Sequence, residues 1–149
     1  MKVIIIYASP ADQDWVQKIQ AELDKWGLKA ILELASAHKV PEKVLGIVQQ
    51  YNSEKDVVYV TVAGRSNGLS GVVAANSIHP VMACPPFKDK QDLLVNIHST
   101  MQMPSETPVL TVLDPNNVAG ACARILGLSS SSLQNKVKGK IVQIKKSFK

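Results

Sequence analysis

Acidic residues are missing from the end of this 149-residue chain: none follows Asp114. The same stretch holds Arg124, Lys136, Lys138, Lys140, Lys145, Lys146 and Lys149, so it carries +7 of a net +5 and leaves −2 for residues 1–114. A basic tail can serve nucleic acid or a membrane surface. Aromatic residues make up only 5% of the chain, and Phe148 is the one aromatic in that tail, so no set of rings is interleaved to stack bases. Leu133, Val137, Ile141 and Ile144 recur there at helical spacing. The tail therefore reads as an amphipathic docking helix with a solvated lysine face, and neither nucleic acid nor membrane is expected as a partner.

Long apolar runs are absent as well. No segment approaches the roughly 20 residues that a membrane-spanning helix needs. The apolar stretch Val3–Ala8 is too short for a secretory leader and reads as a buried strand. Cysteine is scarce. Cys84 and Cys122 are far apart and lack metal-ligand or redox spacing, which fits two buried thiols in a reducing cytoplasm better than a disulfide. The three histidines, His38, His79 and His98, also lack the spacing of a zinc site, so no metal is expected.

What is present alternates between β-rich runs and helical periodicity. Strands are expected at Lys2–Tyr7, Ala30–Leu34, Val57–Val62, Val81–Cys84 and Val109–Leu113. Between them, helices are expected with Trp15, Ile19, Leu23 and Trp26 on one face, from Pro41 onward, over Val72–Asn76, over Lys90–His98 and over Asn116–Leu126. Asp12 or Asp14 can cap the first helix and Gly27 can end it. Ser129–Ser132 reads as a linker before the terminal helix. Residues 1–149 are expected to form one domain, with a core over 1–128. Strands alternating with helices imply a parallel sheet covered on both faces, and right-handed crossovers restrict its topology. The expected fold class is α/β: a flavodoxin-like, doubly wound, five-stranded parallel sheet in a three-layer sandwich, with a C-terminal helix.

In such a sheet the ligand site lies outside the carboxyl ends of the strands. After the first strand come Ser9, a hydroxyl at a helix start, and Asp12, an acceptor suited to sugar hydroxyls. After the second come Ser36, Ala37, His38 and Lys39: a residue that can move protons near neutral pH beside a point charge for phosphate. After the third comes Ala63-Gly64-Arg65-Ser66-Asn67-Gly68-Leu69-Ser70-Gly71, the most informative stretch. Its glycines let backbone approach a ligand, Arg65 can grip phosphate, and Ser66 and Asn67 can donate to a carboxylate or oxyanion. This is not a phosphate-binding P-loop, which needs Lys followed by Ser or Thr after its last glycine, nor a dinucleotide fingerprint. A phosphoacceptor receiver would need an acidic pair where Tyr7 and Ala8 stand.

Taken together, Ser9…Asp12, Ser36-Ala37-His38-Lys39, Ala63-Gly64-Arg65-Ser66-Asn67, Cys84-Pro85-Pro86 and Met103-Pro104-Ser105 resemble class II phosphoribosylaminoimidazole carboxylases from about residue 2 to about residue 128. The resemblance implies a cytoplasmic octamer that adds CO2 to 5-aminoimidazole ribonucleotide without cofactor: no biotin, metal or ATP. It implies His38 as proton carrier, with Ser66 and Asn67 facing CO2. Ser9, Asp12, Ser36, Ala37, Lys39, Ala63, Gly64, Arg65, Gly68 and Leu69 would surround the nucleotide. Ala8 and Ala11 stand where that family has Gly and Ser, and Glu106-Thr107 replaces a Gly-containing turn. The alternatives are a mutase acting on the N5-carboxy compound and a non-catalytic nucleotide-binding relative.

Overall fold

A computed structural model describes residues 1–148; Lys149, counted above in the basic tail, lies outside the described residues. The chain runs β1 (Lys2–Tyr7), a 3₁₀ turn (Pro10–Asp12), α1 (Gln13–Trp26), β2 (Ala30–Leu34), α2 (Pro41–Asn52), β3 (Val57–Val62), α3 (Gly68–Asn76), β4 (Val81–Ala83), α4 (Lys90–Met101), β5 (Leu110–Thr111), α5 (Pro115–Gly127) and α6 (Ser131–Lys146). The five strands pair in parallel in the order β2-β1-β3-β4-β5, the doubly wound topology of flavodoxin type.

The continuous apolar runs explain the centre of this sheet. Successive residues of a strand face opposite sides, so a strand covered on both faces is apolar at nearly every position, and a polar exception such as Thr61 must find hydrogen-bond partners inside. Val3, Ile4, Ile5 and Ile6 are all fully buried, and so is the whole of β3. Val3, Ile5, Val58, Val60 and Val62 pack against Val16, Ile19 and Leu23 of α1 and against Val118, Cys122 and Leu126 of α5. Ile4, Ile6 and Tyr59 face the other way, onto Val44, Ile47 and Val48 of α2 and Leu69 and Val73 of α3. Each such aliphatic side chain contributes about 1.5–3 kcal/mol by leaving water.

Several boundaries differ from those expected. Helix α3 begins at Gly68, four residues before Val72, because Asn67 caps it: its side chain accepts from the Ser70 amide. Helix α4 continues past His98 to Met101, and the edge strand β5 shrinks to Leu110–Thr111. Only half of the serine run is linker. Ser130 accepts from the Leu133 amide and caps α6, so Ser131 and Ser132 are already its first turn. Only the near half of the α6 stripe docks. Leu133 is buried and Val137 packs beside it, whereas Ile141 and Ile144 stay 38% and 49% exposed.

Parallel register decides where the loops emerge. Tyr7 is level with both Leu34 and Val62, and Thr61 is level with Ala83. The backbone pairing continues one step beyond the strands: the Ala8 amide donates to Val62, the Ala35 amide to Tyr7, and the Cys84 amide to Thr61. Four loops therefore leave the same edge side by side.

Candidate active site

A cleft of ≈ 730 Å³ opens along that edge. Its lining includes Ser9 and Asp12 after β1, Ser36, Ala37, His38 and Lys39 after β2, and Ala63, Gly64, Arg65, Ser66 and Leu69 after β3. Three turns separated widely in sequence thus meet at the crossing point of the sheet, where β1 leads out to β2 on one side and neighbours β3 on the other.

Each turn has its own local cause. Ser9 is extended and its hydroxyl accepts from the Ala11 amide, closing the 3₁₀ turn. Asp12 makes no side-chain capping bond to α1. Partial burial pushes its carboxyl up from its ordinary value, and a backbone hydrogen bond from Ser9 opposes that shift. In the second turn, the Lys39 and Val40 amides both return to the Ser36 carbonyl, and Pro41 then opens α2. This tight return pushes His38 and Lys39 outward, exposed at the cleft mouth.

In the third turn Ser66 takes a φ of 46°, the left-handed region that L-residues rarely enter, at a typical cost of about 1–3 kcal/mol. Such a conformation persists only where the surroundings hold it. The Gly68 amide donates to the Ser66 carbonyl at 2.8 Å. The imidazole of His38 lies directly on Gly68: a Cβ there would stand 2.9 Å from Nε2.

One expectation is corrected. Asn67 was expected to face CO2, yet it is only 4% exposed and does not line the cleft. Its Oδ1 accepts from the Ser70 amide and hydroxyl, and its Nδ2 donates to Thr100 Oγ1 at 3.0 Å. This stretch also offers a ligand fewer backbone donors than its glycines suggest, since the amides of Asn67, Gly68 and Ser70 are all engaged inside the protein. Gly68 forms the floor beneath His38 and is not itself part of the lining. His79 bonds the Tyr51 carbonyl through Nε2, and His98 is exposed on α4; neither lines the cleft.

The fourth wall combines Pro86, quoted above in the Cys84-Pro85-Pro86 motif, with residues not singled out from sequence. Pro86, Phe87 and Lys88 follow β4, and Asp92 and Asn96 extend the wall along α4. Trp15 of α1 meets Phe87 with ring centroids 5.1 Å apart, and its Nε1 donates to Cys84 Sγ. Lys18 lies 5.3 Å from the centre of the Trp15 ring. The fourth strand end would have pointed to Phe87 and Lys88, but Trp15 reads from sequence as an ordinary member of an apolar helical stripe. Across the whole lining, Lys18, Lys39, Arg65 and Lys88 face Asp12, Asp14 and Asp92. The rim is suited to a phosphorylated, polyhydroxylated ligand with an aromatic part.

Residues 2–147 match the family model described as AIR carboxylase. The chain belongs to the AIR carboxylase family. It is 47% identical over 137 residues to the phosphoribosylaminoimidazole carboxylase of Archaeoglobus fulgidus, covering 92% of this chain and 75% of that one. It is 38% identical over 152 residues to a bifunctional phosphoribosylaminoimidazole carboxylase/phosphoribosylaminoimidazole succinocarboxamide synthetase of Drosophila melanogaster; the match takes in 99% of this chain and only 35% of that protein. The crystal structure of Treponema denticola PurE superposes with a TM-score of 0.90 at 33% identity, covering 99% of this chain and 93% of the other. The AIR carboxylase family thus accounts for the flavodoxin-like fold across the described chain.

Proposed function

We propose that this protein carboxylates 5-aminoimidazole ribonucleotide at C4 with CO2, reversibly and without ATP or biotin, in purine biosynthesis. The observation that carries this reading is the convergence of His38, Lys39, Arg65, Ser66, Ser9 and Asp12 on one cleft. The chain's membership of the AIR carboxylase family supports it.

The chemistry asks little activation of the carbon donor. The ring amine pushes electron density onto C4, and that pair forms the new C–C bond to CO2. The protein's task is to hold ring and gas together, which alone removes a large entropic barrier. Asp12 accepts from the ribose hydroxyls, and Ser9, Lys39 and Arg65 bind the phosphate. The backbone from Ser36 to Ala37 and from Ala63 to Gly64, with Leu69, shapes the space around the ring. As the bond forms, negative charge grows on the CO2 oxygens, and Ser66 donates to them. C4 then bears both hydrogen and carboxylate. Neutral His38 removes that proton, the C–H pair returns to the ring, and aromaticity is restored. In the reverse direction His38 gives the proton back and CO2 leaves.

The same reading carries a homo-oligomer, an octamer as the resemblance implies, in the cytoplasm. Support for assembly comes from Leu94, Val95 and Met101 of α4, which are 64%, 76% and 67% exposed on a helix whose one buried residue is Thr100. No helix among the described residues is long and apolar enough to cross a membrane.

The test is purified protein supplied with 5-aminoimidazole ribonucleotide and labelled bicarbonate, without ATP. Label in the 4-carboxylate supports direct carboxylation. Turnover restricted to the N5-carboxy compound would make the protein a mutase, and ligand binding without turnover would make it a non-catalytic relative.

A further inference from the structure

Helix α4 is attached to the body of the protein in an unusual way. Three of its apolar residues, Leu94, Val95 and Met101, are exposed, Leu93 and Ile97 are only half-buried, and Thr100, 1% exposed, is its one buried residue. Its hydrogen bonds to the interior come from two hydroxyls near its end. Ser99 Oγ accepts from the Asn67 amide at 2.9 Å, and Thr100 Oγ1 accepts from Asn67 Nδ2 at 3.0 Å. Asn67 is thus gripped from α4 at both its backbone and its side chain.

The chain of bonds continues inward. Asn67 Oδ1 accepts from the Ser70 amide and the Ser70 hydroxyl. Ser70 Oγ lies 2.8 Å from Thr61 Oγ1, which also reaches the Met82 carbonyl at 3.2 Å. Each hydroxyl has one proton. Ser70 gives its own to Asn67, so Thr61 divides its proton between Ser70 and the Met82 carbonyl. Thr61 and Ser70 are fully buried, and Asn67 is 4% exposed. Buried polar chains of this kind contribute little net stability, but they define one geometry sharply, because every rearrangement strands a partner away from water.

The geometry so defined is that of the residues beside the reacting atoms. Asn67 is flanked by Ser66, held at its left-handed φ of 46°, and by Gly68, on which the His38 ring rests. We infer that Thr100 and Ser99 are positioning residues of the carboxylation: from α4, through Asn67, they fix Ser66 and the floor under His38. This rests on the proposed function for its kinetic consequence, though not for the geometry itself. A role limited to capping α3 would be met by Asn67 and Ser70 alone and would need nothing from α4.

The experiment compares Thr100→Val, which keeps shape and removes the acceptor, with Thr100→Ser, which keeps the hydroxyl, and with Ser99→Ala. Each full-length variant is assayed for ATP-free carboxylation beside the parent, and the His38 ring resonances, assigned with His38→Asn, are recorded by NMR. The expected result is a kcat at least about tenfold lower for Thr100→Val, with KM for the nucleotide within about twofold, since phosphate is held by other turns. Thr100→Ser returns kcat to within about threefold of the parent, Ser99→Ala falls between them, and the His38 resonances shift in step with kcat. If Thr100→Val does not fold, Ser99→Ala decides by the same kcat and KM criterion. Lower melting temperature with unchanged kcat and unshifted His38 resonances would reduce these hydroxyls to structural ties and overturn the inference. A parent without carboxylase activity would sink the proposed function instead, and the His38 resonances would then decide the positioning claim alone.

Discussion

The imidazole of His38 occupies the space that a side chain at Gly68 would take: an added Cβ would lie 2.9 Å from Nε2 and 3.2 Å from Cε1. The two residues come from different turns, after β2 and at the start of α3. Their contact sets the resting position of the imidazole to which the proposed function gives the proton transfer.

Gly68→Ala separates fold from function through that contact. Gly68 has no positive φ, and alanine favours a helix over glycine by about 0.5–1 kcal/mol, so the backbone tolerates it. The His38 ring is exposed and can swing aside cheaply. We predict an unchanged or slightly raised melting temperature, together with a loss of turnover of about tenfold or more, because a displacement of about 1 Å can cost up to 10²-fold. A variant that keeps full turnover would show that the resting position of His38 is not its working position.

His38→Asn keeps a polar side chain and removes the imidazole that the proposed function makes the proton carrier. Turnover should fall by about 10²–10⁴, the usual worth of a positioned acid–base group, while nucleotide affinity measured by calorimetry stays near that of the parent. Equal carboxylation rates would contradict the assignment.

Lys39→Ala removes one cation from the rim and should raise KM for the nucleotide with a smaller change in kcat. A hydrogen bond to a charged group contributes about 1.5–3 kcal/mol, so the expected rise is about tenfold to 10²-fold. An unchanged KM would take Lys39 out of phosphate binding.

Glu106 stands at φ 63°, the left-handed region, in an exposed turn. Glycine would relieve a strain of about 1–2 kcal/mol and lose part of it to unfolded-chain entropy. Glu106→Gly should therefore raise stability by about 0.5–1 kcal/mol in denaturant titration. A lower midpoint would mean that Glu106 makes a stabilising contact that outweighs the strain.

Burial pushes the Cys84 and Cys122 thiols up to about 12 from an ordinary value of 9.0. The folded state holds both protons where the unfolded chain would release them. Stability is therefore unaffected below about pH 9 and falls as pH rises from 9 toward 12, by about 1.4 kcal/mol per pH unit for each thiol. Thermal melts under reducing conditions check this, and replacing both cysteines by alanine should flatten the alkaline limb. Native protein should also resist alkylation until it unfolds.

The sheet was legible because β1 and β3 are short runs, almost wholly apolar and rich in β-branched side chains, and that length and composition favour a strand covered on both faces over a buried helix. The rim rule then placed His38, Lys39, Arg65 and Ser66 on one edge before any coordinates. What misled was ambiguity in the chemistry of single residues. Asn67 offers the same amide whether it caps a helix or greets a ligand, and only the presence of Ser70 and Thr100 around it decides for the interior. Gly68 and Gly71 resemble loop residues, yet both lie in α3: Gly68 accommodates His38, and a Cβ at Gly71 would meet Met103 Sδ at 3.3 Å. Close approach between distant segments, which is the reason for these glycines, has no local signature. Trp15 follows helical spacing and does pack against the core, yet it is only half-buried and its ring also meets Phe87 in the cleft lining. Ile141 and Ile144 keep the helical period too, yet both stay exposed, since periodicity does not say how far along a helix its packing partners reach.

The most direct test of the central claim is ATP-free incorporation of labelled CO2 into 5-aminoimidazole ribonucleotide by the parent protein and His38→Asn side by side. The account predicts label at C4 with the parent and almost none with the variant, both binding the nucleotide alike. Equal labelling by the two proteins, or none by either while the nucleotide binds, would contradict it.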